Sequence, residues 1–155
     1  IEDLISYRLK YEKLIIKKDV KKLNLKNFDK LFLHSYKNKL ENNNNLVVTK
    51  GKFINNNSIF VRVISTQIKK NILTNQKILK SLKFLNKYKN FLLLIINKKN
   101  NSKIDNINTL RYYGIGAQII KDLNVKNMIL VSRTKKKIIG LEGFGLKIKK
   151  QIIIK

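Results

Sequence analysis

The sequence predicts an α+β fold, in which a mixed β-sheet is flanked by helices within a single domain. The first half of the chain carries strand-like runs, and the second half alternates strand-like with helical stretches. The chain has 155 residues, of which 43% are hydrophobic, so it can bury one core of its own. These observations favour a globular domain over a disordered chain.

The amino-terminal half is predicted to begin with a helix over Ile1–Ile16, because apolar residues recur there at helical spacing and acidic residues occupy the first turn. Lys17–Lys26 is interpreted as a basic connector. Three later runs are predicted as strands: Lys30–Tyr36, Leu46–Thr49 and Ile59–Ser65. The polar segments Glu41–Asn45 and Asn55–Ser58 are predicted as a loop and a turn.

The carboxyl-terminal half alternates between helical and strand-like stretches. Helices are predicted over Gln76–Tyr88, Gly116–Leu123 and Lys137–Leu141. Strands are predicted over Phe91–Ile96, Asn127–Val131 and Lys147–Ile154. The Asn- and Lys-rich segment Asn97–Asn108 is predicted as a loop, and Gly143 and Gly145 are expected to end the last helix.

The charge of the chain is strongly positive, with a net value of +26. Lysine supplies nearly all of it, since only four of the 35 basic residues are arginine. Phosphate and base recognition tends to use the planar fork of arginine, and these lysines follow no stripe or motif. We therefore prefer a solvated lysine-rich surface, shaped by a bias toward A-rich codons, and predict no specific nucleic-acid partner.

Several classes of site and location are excluded or disfavoured by composition. The chain has no cysteine and one histidine, His34, and its nine carboxylates are scattered, so no metal site is predicted. His34 lies in a strand pattern and is expected to be a partly buried structural residue. The longest apolar run, Phe91–Ile96, is too short to span a bilayer, and we expect a cytoplasmic protein with no membrane partner. Because the chain begins at Ile1 and not at Met, we expect a segment of a longer product.

The segment Leu110–Leu146 is unusual because it holds five of the six glycines. Gly114 and Gly116 precede a predicted helix and suggest either a phosphate-binding turn or, as we prefer, a tight turn with close helix packing. Arg62 and Arg111 stand out against the lysine background, and each fits an anion-binding fork or a structural salt bridge equally well. Ser132 follows a predicted strand, where ligands commonly bind in α/β sheets.

These residues together resemble the GTP cyclohydrolase II family of riboflavin biosynthesis. The resemblance rests on LRYYGIGAQIIKDLNVKNMIL and VSRTKKKIIGLEGFGL. Further upstream, IEDLISYRLKYEKLI is similar to the segment that joins 3,4-dihydroxy-2-butanone 4-phosphate synthase to the cyclohydrolase in bifunctional proteins. The resemblance thus implies a linker helix and connector over residues 1–26, and a cyclohydrolase-like domain with the mixed sheet of that family over 27–155.

The resemblance also implies the roles of several residues. Members of the family use zinc, held by three cysteine thiolates, to open the guanine imidazole ring of GTP. The first cysteine position falls near Gln67 here, and the segment with the other two is missing. Arg111 matches the catalytic arginine of the family, whereas Arg62, Ser132 and Lys137 match positions that bind the triphosphate. The catalytic tyrosine of the family has no counterpart.

The preferred hypothesis is therefore a degenerate GTP cyclohydrolase II-like domain that has lost the zinc-dependent ring opening. It would have a structural or supporting role as a homodimer beside an upstream synthase domain, with GTP or another phosphate compound as a ligand. The alternative is an active GTP-hydrolysing enzyme with a cysteine-free site around Arg111. A lysine-rich nucleic-acid-binding protein ranks third, because only the charge supports it.

Overall fold

The computed structural model describes residues 2–40, 43–54, 57–69, 71–97, 106–133 and 145–154. Three α-helices are present in this part of the chain: α1 (Glu2–Tyr11), α2 (Gln76–Leu85) and α3 (Asn106–Asp122). Seven strands accompany them: β1 (Ile15–Leu23), β2 (Leu31–Asn38), β3 (Asn43–Lys50), β4 (Ser58–Thr66), β5 (Phe91–Asn97), β6 (Asn127–Ser132) and β7 (Lys147–Ile153). A single 3₁₀ turn, Ile72–Thr74, precedes α2.

The strands form one sheet in the order β1-β2-β3-β5-β4-β6-β7. The pairs β1–β2, β2–β3 and β3–β5 are antiparallel, whereas β5–β4, β4–β6 and β6–β7 are parallel. The expected α+β fold with a mixed sheet in one domain is therefore confirmed. The parallel half forms because α2 and α3 return the chain to the same end of the sheet before the next strand begins.

Both faces of the sheet are covered, which explains the continuous apolar run of β5. Leu92 and Leu94 belong to the core that the sheet shares with α1 and α3. Leu93 and Ile95 face the opposite core, which α2 completes with Ile78, Leu82 and Leu85. A strand buried on both faces has no polar positions in alternation, so β5 reads as a solid hydrophobic stretch.

Side chains at both ends fix α2 against the sheet. Asn75 is its N-cap, and the Asn75 side chain accepts hydrogen bonds from the backbone amides of Lys77 and Ile78. At the other end, Lys50 of β3 donates from Nζ to the carbonyl oxygen of Asn86 over 3.2 Å. An ammonium group at a helix carboxyl terminus neutralises exposed carbonyls and complements the dipole, so α2 is held in a defined register.

The sequence-based prediction of secondary structure failed in several places. The helix predicted over Ile1–Ile16 ends at Tyr11, and Ile15 and Ile16 belong to β1. The connector predicted at Lys17–Lys26 is wrong, because Ile15–Leu23 forms edge strand β1. The end of the loop predicted at Glu41–Asn45 is also wrong, since Asn43 begins β3. Helix α3 begins at Asn106 and not at Gly116, so the loop predicted over Asn97–Asn108 overlaps both β5 and α3. The helix predicted at Lys137–Leu141 falls outside the described residues.

Gly114 and Gly116 lie within α3, so the turn predicted at these glycines is wrong. The close packing expected with it is present. A Cβ atom built on Gly114 would lie 2.7 Å from Cδ1 of Leu9, and one on Gly116 would lie 3.0 Å from Cδ2 of Leu94. The two glycines therefore let α3 approach α1 on one side and β5 on the other. None of the described helices is long and apolar enough to cross a membrane.

Candidate functional site

The candidate site lies where the parallel strands end. The chain leaves β4 toward α2 on one face of the sheet and leaves β5 toward α3 on the other. When neighbouring parallel strands send their connections to opposite faces, a crevice opens outside their carboxyl ends, and ligands bind there in many α/β proteins. This edge carries polar residues from three strands, including Thr66, Asn97 and Ser132.

Arg62 of β4 is the buried charged residue of this region, with 7% of its surface exposed. Its Nε donates to Oγ of Ser81 on α2 over 3.2 Å. Its Nη1 donates to the carbonyl oxygen of Val131 on β6, also over 3.2 Å. The guanidinium therefore spans from helix α2 to the neighbouring strand, and both bonds use its fixed fork geometry.

The bond to Val131 compensates for an interruption of the sheet. The parallel ladder between β4 and β6 pairs Ser58–Val61 with Asn127–Leu130 and stops there, although both strands continue. Beyond this point the carbonyl of Val131 accepts a bond from the Arg62 side chain in place of a backbone amide. The Arg62 side chain thus links β4 to β6 directly after the last pair of the backbone ladder.

The electrostatic surroundings of Arg62 are unfavourable for a cation. Burial lowers the pKa of Arg62, and repulsion from Arg133 lowers it further. Among the described residues, no carboxylate forms an ion pair with Arg62. The salt-bridge interpretation of this arginine therefore finds no support within that part of the chain. An anion at this site would offset both unfavourable contributions.

A cleft of about 420 Å³ lies beside the end of β4. Its lining includes Thr66, Gln67, Asn71, Asn75 and Lys77. Asn75 donates from Nδ2 to Oγ1 of Thr66 over 3.1 Å, and Lys77 donates from Nζ to the carbonyl oxygen of Ser65 over 2.9 Å. These bonds tie the amino end of α2 to the strand, so the walls of the cleft hold each other in place.

The sequence did not predict the hydrogen-bonded asparagines at the end of β5. The backbone amide of Asn97 donates to Oδ1 of the buried Asn45 over 2.9 Å. Oδ1 of Asn97 in turn accepts a hydrogen bond from the backbone amide of Ile68 over 3.2 Å. The Asn-rich composition hid these positions, because functional and incidental asparagines look alike in such a chain.

The predicted site residues are only partly brought together. Arg62 and Ser132 lie on neighbouring strands, and Ser132 is buried directly after Val131, the acceptor for Arg62. Arg111 lies near the amino end of α3, but its side chain is not among the described parts of the structure. Lys137 belongs to the segment 134–144, outside the described ranges.

The residues near Gln67 do not fit a zinc ion. The cleft presents amide and hydroxyl oxygens and lysine amines, whereas zinc sites are built from thiolates, imidazoles and carboxylates. His34 does not line this cleft, and its Nε2 instead shares a 2.9 Å hydrogen bond with Oγ1 of Thr49. Within the described ranges, no three or more histidines, cysteines, aspartates or glutamates are grouped so that they could hold a metal ion.

Comparison with known proteins agrees with this architecture. Residues 81–153 match the family model of GTP cyclohydrolase II. The riboflavin biosynthesis protein RibBA of Aquifex aeolicus (strain VF5) is 29% identical over 187 residues, which cover 100% of this chain and 46% of that protein. A 3,4-dihydroxy-2-butanone 4-phosphate synthase of Photobacterium phosphoreum is 29% identical over 168 residues, covering 96% of this chain and 46% of that protein.

A solved structure shares the fold. The structure of RibBX, a two domain 3,4-dihydroxy-2-butanone 4-phosphate synthase from A. baumannii, superposes with a TM-score of 0.73 at 21% identity. The match covers 99% of this chain and 44% of that one, so the chain spans about half the length of the relatives it matches. The chain is thus related in sequence to riboflavin biosynthesis proteins, and residues 81–153 match the GTP cyclohydrolase II model.

Proposed function

We propose that this chain is a GTP cyclohydrolase II-like domain of a riboflavin biosynthesis protein that does not open the guanine ring of GTP. Its role is to support a 3,4-dihydroxy-2-butanone 4-phosphate synthase domain to which it is joined, as a homodimer. The observation that carries this proposal is the match of residues 81–153 to the GTP cyclohydrolase II model in a chain of 155 residues without a cysteine. The matched relatives are about twice as long, and one is a two-domain synthase, which supports a partner domain of that kind.

The chemical argument concerns the activation of water. Ring opening needs a strong nucleophile near neutral pH, which a zinc ion supplies in the enzymes that this chain resembles. The cleft beside β4 offers Gln67 and Asn71, whose amides are neutral and bind zinc poorly. Its lysines also repel a divalent cation, so the donor set in this part of the chain disfavours the reaction.

The test is a measurement of metal content and turnover on the purified chain. We expect less than stoichiometric zinc by elemental analysis after dialysis against zinc, and no release of formate from GTP. A zinc-containing riboflavin protein with intact cysteines, assayed in parallel, is the positive control. Stoichiometric zinc together with formate release would disprove the proposal.

The supporting role is tested separately, with the synthase domain of a relative fused to this chain or left alone. We expect the fusion to raise the melting temperature or the activity of the synthase domain. The matched control carries Leu9→Ala in the fused chain, because this change weakens the packing of α1 on α3 without touching the synthase. Equal behaviour of fused and isolated synthase domains would contradict the supporting role.

A second candidate is a cysteine-free site that cleaves pyrophosphate from GTP, with Arg111 as the reacting residue. The buried guanidinium of Arg62, which forms no ion pair with a carboxylate of the described residues, favours it, because phosphoryl transfer relies on positioning and positive charge. Release of pyrophosphate that disappears in Arg111→Ala would support this candidate. Absence of any nucleotide binding would exclude it.

A further inference from the structure

We propose that Ser81 of α2 is a positioning residue, which orients the Arg62 guanidinium toward a phosphoryl-class anion at the carboxyl ends of β4 and β6. The inference rests on the phosphate-binding role that the resemblance implies for Arg62 and that the second candidate function uses. It adds to that role a residue on a different element, Ser81 of α2, which no sequence pattern singles out.

The hydrogen-bond geometry of Ser81 gives its hydroxyl one orientation. Oγ donates to the carbonyl oxygen of Lys77, one helical turn earlier, over 2.9 Å. Since a hydroxyl has one proton, the lone pairs of Oγ remain for the Nε–H of Arg62 at 3.2 Å. Ser81 is itself 4% exposed, so water does not compete for either bond. The hydroxyl is therefore a fixed acceptor.

Two bonds at different nitrogens fix the plane of the guanidinium. Ser81 holds Nε, and the carbonyl of Val131 holds Nη1. A planar group held at two points can neither rotate nor translate freely, so the N–H groups of Nη2 point in one fixed direction. Nη2 forms no hydrogen bond with another described residue. An arginine arranged in this way is ready to bind an acceptor at small entropic cost.

The charge around the site identifies the kind of acceptor. Arg62 is buried, and repulsion from another cation, Arg133, which directly follows β6, adds to the effect of burial in lowering its pKa. Within the described residues, no carboxylate neutralises it. A multiply charged phosphoryl group would satisfy the free donors and reduce the repulsion between the two guanidinium groups, whereas a neutral ligand would do neither.

The experiment is a double-mutant cycle that measures the binding of inorganic pyrophosphate and of GTP by calorimetry. The variants are Ser81→Ala, Arg62→Lys and the double variant; Lys80→Ala, at an exposed position next to Ser81 on α2, is the control substitution on the same helix. Arg62→Lys keeps the positive charge but lacks the Nε–H group from which Ser81 Oγ accepts a hydrogen bond. We expect Ser81→Ala to weaken pyrophosphate binding roughly tenfold in the wild-type chain, as for a hydrogen bond to a charged group.

The positioning role predicts that Ser81→Ala has less than about a twofold effect in the Arg62→Lys background. Ser81→Thr, which keeps the hydroxyl, should restore most of the affinity. A purely structural role of Ser81 would weaken binding equally in both backgrounds, and this result would overturn the inference. If the wild-type chain binds neither pyrophosphate nor GTP, the inference is also overturned, while the zinc and formate test of the proposed function is unaffected. Binding of GTP but not of pyrophosphate identifies a nucleotide as the source of the phosphoryl group.

Discussion

Leu9 of α1 packs directly on Gly114 of α3, with its Cδ1 atom 2.7 Å from the position that a Cβ of Gly114 would occupy. Leu9 is 1% exposed and belongs to the core shared with β5. The amino-terminal helix is therefore seated in a notch that exists only because residue 114 lacks a side chain.

Gly114→Ala is expected to destabilise the protein by about 1 to 3 kcal/mol, because the added methyl group overpacks the contact with Leu9. A loss of stability would be informative, because in an isolated helix alanine is more favourable than glycine by about 1 kcal/mol and the same change would stabilise. Urea denaturation followed by circular dichroism measures the change. We expect Gly116→Ala to cost less, and the truncation Leu9→Ala to relieve part of the Gly114→Ala clash. A more stable Gly114→Ala variant would contradict this packing.

Gln118 fixes the carboxyl end of α1 through three hydrogen bonds of 2.8 Å. Its Nε2 donates to the carbonyl oxygens of Leu9 and Glu12, and its Oε1 accepts from the amide of Leu14. Gln118→Glu keeps the acceptor but loses both donors. We expect the amides of α1 to lose protection from hydrogen exchange in this variant, while those of β5 keep it. Equal protection of α1 in wild type and variant would show that these bonds do not hold the helix.

Asp122, the last residue of α3, accepts hydrogen bonds from two side chains that differ strongly in burial. Its Oδ2 accepts a 2.7 Å hydrogen bond from the hydroxyl of the fully buried Tyr36, and its Oδ1 lies 3.3 Å from Nζ of the exposed Lys13. We expect Tyr36→Phe to lower the free energy of unfolding by about 1.5 to 3 kcal/mol. Lys13→Ala should lower it by less than about 1 kcal/mol, as for other exposed ion pairs. Similar effects of the two changes in urea denaturation would refute this ranking.

His34 is expected to make folding sensitive to acid. Burial lowers the pKa of His34 below its ordinary value of 6.5, and Lys17 lowers it further by repulsion. The unfolded chain therefore binds a proton at a higher pH than the folded one. The free energy of unfolding should fall as the pH drops below about 6.5.

The nine carboxylates also titrate in acid, so the measurement compares two proteins. His34→Gln keeps a polar partner for Thr49 and removes the titrating imidazole. We expect the stability of this variant to depend less on pH between about 6.5 and the onset of carboxylate titration. Parallel pH profiles for the wild type and His34→Gln would show that His34 does not contribute.

The central strands and α2 were predictable because burial on one or both faces produces a recognisable pattern of apolar residues in the sequence. β5 reads as an unbroken apolar run, and α2 shows Ile78, Leu82 and Leu85 at helical spacing. The sequence of edge strand β1 shows no such pattern of apolar residues. Most of its residues are exposed on both faces, and its pairing with β2 runs through backbone hydrogen bonds that any side chains allow.

The candidate site was predictable in part. Arg62 and Ser132 could be named from a resemblance in sequence, and the missing cysteines are evident from composition alone. Ser81 could not be named, because a serine within a helix has no distinctive spacing. Its role depends on where α2 lies against β4, which is a matter of packing across 19 residues of sequence.

The sequence by itself determined the α+β class, the core strands and the lack of thiolate ligands, since these depend on local periodicity and on residue type. Only the tertiary structure decided that the glycines of α3 form a notch for Leu9, and that Arg62 bridges α2 and β6 where the ladder ends. Both are contacts between segments far apart in the chain. Local sequence determines the conformational preference of its own segment, whereas such contacts depend on how separate elements are positioned when the whole chain folds.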